Sequence, residues 1–169
     1  YLSGVVVRVS DQEKFEEDWS SSSRQMFLDS GATSVRVAQN VMGGDQAGEI
    51  NIACTWDSLD LALRAPGDLR KNPEMIATMQ ASGVQTLRRS LMLVDAERGV
   101  QEGEFLSMLV TSADQADPAT MEANADAFWT HMESGANGIM WCRGLAAGPL
   151  NGLYIALTAS DSAAALLPA

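Results

Sequence analysis

The stretch SGATSVRVAQNVMGGDQAG, Ser30 to Gly48, is answered later in the chain by SGANGIMWCRGLAAGPLNG, Ser134 to Gly152. At a shift of 104 residues and without a gap, Ser30, Gly31, Ala32, Gly44, Gly48, Asp57 and Ser58 meet Ser134, Gly135, Ala136, Gly148, Gly152, Asp161 and Ser162. Apolar character recurs where identity does not, at Val35/Ile139, Val37/Trp141 and Val41/Leu145. The shared residues are those that end helices and turn strands: glycine takes positive φ without steric cost, and Asp or Ser caps a helix. The pattern predicts duplication of a structural unit, not of a catalytic motif.

Working outward, GVVVRV (Gly4 to Val9) reads as a strand, and Ser10 with Glu13 forms a capping box that opens a helix. Phe15, Trp19 and Met26 share one face of that helix, Ser20 to Ser23 weaken its middle, and Gly31 stops it. TSVRVAQNV and EINIACTW alternate with period two around GGDQAG, the signature of a hairpin. Asp57 is the expected cap of a helix ended by Pro66 and Gly67. Asn72 and Pro73 open another that carries Met75, Ile76 and Met79 to Gly83, and QTLRRSLMLV is the last strand.

The order starts again with EFLSMLV, a helix opened by Asp117 and Pro118 and carrying Met121, Ala125, Phe128 and Met132, then GIMWCRGL, a turn, and GLYIALTA. After Asp161 only SAAALLPA remains, which leaves an abbreviated helix and no fourth strand. The expected fold class is therefore α+β, with tandem duplicated ferredoxin-like βαββαβ units over residues 1–99 and 100–169, the second truncated before its last strand.

With 169 residues the chain can bury one sizeable core or two small modules. Residues 100–169 hold eight acids and a single base, Arg143, within a formal charge of −11, so nucleic acid and anionic membrane surfaces are excluded as expected partners. No apolar run approaches the roughly 18 residues of a membrane span. The chain opens at Tyr1 directly before a strand, which is compatible with a processed or truncated N-terminus and leaves the compartment open, with the cytoplasm slightly favoured. Cys54 and Cys142 lie in apolar strand-like runs outside any CxxC or Cys/His cluster, and the chain has one histidine. Core thiols and no metal site are expected, and no cofactor.

Two such units in tandem, each with a helix ending in SGA, a glycine-rich hairpin and a DS opening the next helix, resemble the dimeric α/β-barrel superfamily, and within it NIPSNAP-like and antibiotic-biosynthesis-monooxygenase-like proteins. The resemblance implies two four-stranded sheets closed into a pseudo-dimeric barrel and a cavity between sheet and helices. Its members include cofactor-independent oxygenases, haem-handling enzymes, lactone isomerases and proteins of no known activity, so the fold constrains chemistry poorly. No spacing here matches a catalytic motif of the group, and no catalytic residue is carried over.

Six residues stand out as ligand-binding candidates: Arg36, Asn40, Trp129, His131, Trp141 and Arg143. Alternation in SVRVAQNV puts Val35, Val37, Gln39 and Val41 on one face and Arg36 and Asn40 on the other, where covered polar groups need a ligand or an acidic neighbour as partner. His131, near the end of a helix, is a surface histidine favoured by the helix dipole, or else a base or haem ligand. Trp141 on a strand is a core aromatic or a cavity wall. Three functions remain: a barrel that binds a small hydrophobic molecule, with or without cofactor-independent oxygenase-like activity; a non-catalytic assembly module completed by another chain or a second copy; and a haem enzyme, with His131 as its one natural axial ligand.

Overall fold

The computed structural model describes residues 1–112 and 117–166, which divide into two compact units, Tyr1–Leu91 and Met92–Ala169. The first unit contains β1 (Leu2–Arg8), α1 (Gln12–Asp18), α2 (Arg24–Asp29), β2 (Ser34–Gln39), β3 (Ile50–Thr55), α3 (Leu59–Leu69), α4 (Pro73–Ala81) and the start of β4 (Gln85–Gly99). Its strand order is β2-β3-β1-β4, with β3 antiparallel to both β1 and β2. Val7, Phe15, Val35, Ile52 and Trp56 form its core. Each such side chain contributes about 1.5–3 kcal/mol by leaving water.

α1 begins one residue later than the capping-box reading places it. Asp11 is the N-cap, its carboxylate accepting from the Lys14 amide at 3.0 Å. Ser10 is committed elsewhere: its amide donates to the Ser82 carbonyl, and its hydroxyl fills the space a Cβ at Gly83 would need. α1 and α2 are joined by a π-helical turn, Trp19–Ser23, in which the Arg24 amide reaches back to the Trp19 carbonyl. The extra residue shifts the apolar face, so Phe27 rather than Met26 packs on the core and Phe15, Trp19, Ser23 and Phe27 follow one another at steps of four.

β2 stops at Gln39 because Asn40 closes the hairpin, donating to Glu49 and accepting from Gly48 through its backbone. Val41, expected on the inner face, is 74% exposed in the loop beyond. α3 is capped by Ser58 rather than Asp57 and runs through Pro66 and Gly67 to Leu69. Pro66 cannot donate to the preceding turn, yet burial of Ala65 and Leu69 holds the last turn helical.

The second unit has the remainder of β4, β5 (Phe105–Thr111), α5 (Pro118–Met132), β6 (Gly138–Ala146) and β7 (Tyr154–Ser160), in the order β4-β6-β7-β5, followed by a 3-10 turn at Ala164–Leu166. β7 is antiparallel to β5 and β6. β4 outruns the apolar segment that announces it because its charged end is matched: Asp95 pairs with Arg143, and Arg98 with Glu122 and Asp126 of α5. Met121 and Ala125 of α5 pack on Trp141, Tyr154 and Ala156. In both the β2–β3 and β6–β7 loops a positive-φ glycine begins a 3-10 turn, Gly44 at 56° and Gly148 at 58°, and a second follows the turn, Gly48 at 84° and Gly152 at 73°. No helix among the described residues is long and apolar enough to cross a membrane.

Candidate ligand-binding cleft

The helices of the first unit do not seal against its sheet. Between them lies a cleft floored by Val5 and Val7 of β1 and Ile52 of β3, and roofed by Phe15, Trp19, Ser23 and Phe27. Alternation puts Val5 and Val7 on the same strand face, and the register sets Ile52 directly opposite Val5. The roof aromatics touch in series: Phe15 and Trp19 stack with centroids 6.0 Å apart, and Trp19 and Phe27 meet at 5.9 Å and 45°. Met75 and Met79 of α4 and Leu69 of α3 form the side wall.

The inner cleft leaves about 70 Å³ open. It adjoins a shallow depression of about 370 Å³ lined by Ile76, Gln80 and Gly83, the two sharing Arg70, Met79 and Val84. Ring-sized ligands need a few hundred Å³, so an occupant would enter from the depression and displace Met75 and Met79, whose thioethers are easily rearranged. The π-helical turn interrupts the regular helix in the roof.

Two guanidinium groups, both on exposed residues, line this cleft. Arg70, just beyond α3, donates from Nε to the Pro66 carbonyl at 3.2 Å, and Arg89 stands on β4. Loss of solvent around Arg89, together with the nearby charge of Arg70, lowers the Arg89 pKa. No carboxylate, imidazole or thiol lines the cleft among the described residues. It is also lined by Ser23, Thr78, Ser82 and Thr86, and the Ser82 hydroxyl donates to the Thr78 backbone carbonyl at 2.9 Å.

None of the six residues singled out by the sequence lines this cleft. Arg36 lies half-buried on β2 and is engaged by its surroundings. Asn40 is a loop brace, accepting from Asn51 at 2.9 Å and donating to the Gln46 carbonyl. In the second unit, Trp129 is half-buried with its ring against Gly99, where a Cβ would collide with it, and His131 is exposed in the last turn of α5. Trp141 and Arg143 lie two residues apart on one face of β6. Trp141 meets Phe128 edge-on at 5.7 Å, and Arg143 donates to Asp95 at 2.8 Å, a bond that raises the Arg143 pKa. Trp141 Nε1, Arg143 Nε and the second Asp95 oxygen have no hydrogen-bond partner among the described residues. Both cysteines are buried, and loss of solvent pushes each thiol up to about 12, so neither is a nucleophile at neutral pH.

Sequence reasoning missed Arg70 and Arg89. For Arg89 a signal was present: in LRRSL the apolar alternation of Leu87 and Leu91 is broken by Arg89, while Arg88 takes the other face and meets the buried Glu49. Arg70 carried no signal, because Pro66 and Gly67 disguised the helix that delivers it.

No family model matches the sequence, and no curated protein sequence matches it. Among solved structures, an anthrone oxidase-like protein superposes with a TM-score of 0.55 at 19% identity, over 97% of this chain and 74% of its own. A putative monooxygenase from Lactobacillus acidophilus superposes with a TM-score of 0.56 at 7% identity, over 97% of this chain and 79% of its own. At these identities the likeness shows the fold alone.

Proposed function

We propose that this protein binds a small hydrophobic molecule in the cleft of its first unit, on a dimeric α/β-barrel scaffold whose two βαββ units arose in tandem within one chain. The carrying observation is the cleft itself: a strand floor, a run of three aromatics, two movable methionines and a π-helical turn around one apolar space. The tandem reading is supported by the paired turns at Gly44 and Gly148. An oxygenase-like activity, of the kind the neighbours' names suggest, would draw on the acidity of the substrate, because among the described residues the cleft offers arginines to stabilise an anion and no side-chain base to form one. Filling the cleft from its roof tests the binding. Wild type should bind 2-acetylnaphthalene, and Ser23→Phe should weaken that binding at least tenfold; unchanged affinity in a folded Ser23→Phe protein would overturn the reading.

Assembly through β5 has separate support. Among the described residues β5 pairs with β7 alone and ends the strand order, and its Leu106, Met108 and Leu109 are 42%, 56% and 53% exposed. It carries no charge, so a second copy can pair with it antiparallel about Met108 without opposing like charges.

A further inference from the structure

We infer that the ligand of the cleft is an amphipathic carboxylate, its apolar body between sheet and helices and its carboxylate at the mouth between Arg70 and Arg89. The inference rests on the cleft reading above and adds the chemical class of the occupant.

The starting observation is an imbalance of partners. The chain has 22 acidic residues against 11 basic ones, and Arg8, Arg64, Arg88, Arg98 and Arg143 each meet a carboxylate. Arg89 has no such partner among the described residues, and the one bond of Arg70 is to a backbone carbonyl. Both line an otherwise apolar cleft, close enough for one charge to act on the other. Two neighbouring guanidinium groups without an anion repel, and one carboxylate between them replaces repulsion with charge-assisted, bidentate hydrogen bonds.

A phosphate fits less well. It asks for more donors, and the amides of Glu74 and Met75, where α4 starts beside the cleft, are already held by Asn72 Oδ1 at 2.8 and 3.4 Å. A fully neutral ligand would fill the apolar space and leave both cations unpaired.

The test compares two probes of nearly the same shape, 2-naphthoate and neutral 2-acetylnaphthalene, by calorimetry on the whole chain. Wild type should bind the carboxylate at least tenfold more tightly, with a preference that shrinks as salt rises. Arg70→Gln and Arg89→Gln should each reduce that preference, the carboxylate losing more affinity than the neutral probe, whereas Arg64→Ala, which breaks an ion pair outside the cleft, should change neither. Equal binding of the two probes by wild type would overturn the carboxylate inference and leave the cleft reading standing. Binding of neither probe would overturn both. Because each glutamine variant is checked against the neutral probe, a variant that misfolds is recognised by losing both ligands.

Discussion

Arg70 and Arg89 enter one apolar cleft from a helix end and from a strand, and neither meets a carboxylate there among the described residues. A pair of like charges held near each other is a cost to the folded state. Arg70→Ala removes that repulsion together with one exposed hydrogen bond to the Pro66 carbonyl, so the melting temperature is expected to change little, as surface substitutions stay within about 0.5 kcal/mol. Thermal unfolding without ligand checks this. A loss above about 1 kcal/mol would show that Arg70 has a structural role instead.

The N-terminus of α5 should respond to acid. Asp117 accepts from the Thr120 amide at 3.0 Å and the Thr120 hydroxyl at 2.8 Å, and these bonds hold its pKa below the ordinary aspartate value. A depressed carboxylate stabilises the fold above its unfolded pKa, and that stabilisation is lost as pH falls through the folded one. The Thr120 amide proton shift should thus titrate with a midpoint below the ordinary aspartate range. In Asp117→Asn the titration should vanish while the cap persists, because Asn also caps. A midpoint at or above the ordinary value would contradict the cap.

Local grammar was legible in the sequence where one residue decides one feature. Asn72 and Asp117 cap the helices they announce, and Gly31 and Gly83 end theirs with φ of 100° and 62°. Reading failed where two demands competed for one residue. Ser10 looked like a cap but is held by Ser82, and Pro66 looked like a stop but lies in a turn fixed by the buried Leu69. The serines at 20–23 did announce a weak helix, but not that a π-turn would re-phase its apolar face from Met26 to Phe27. The cleft was illegible for a related reason: its walls read as ordinary core residues, and the gap between them depends on how the helices are set over the sheet. Of the residues that did stand out, Trp129 packs against Gly99, Asn40 braces the β2–β3 hairpin and Arg143 pairs with Asp95.

The β5 edge should make the protein self-associate. Antiparallel pairing of two copies about Met108 sets Leu106 against Val110 and Ser107 against Leu109, covering apolar side chains and unpaired backbone groups together. Sedimentation is expected to show a concentration-dependent dimer that Met108→Lys converts to monomer, since the two lysines would then face each other. A monomer at all concentrations would count against this interface.

The most direct measurement of ligand binding in the cleft is a methyl-resolved NMR titration of the whole chain with 2-acetylnaphthalene. Shift changes should concentrate on Val5, Val7, Ile52, Leu69, Met75 and Met79, the floor and side wall of the cleft. Changes confined to Leu106, Met108 and Leu109 of β5, with the cleft methyls unmoved, would contradict it.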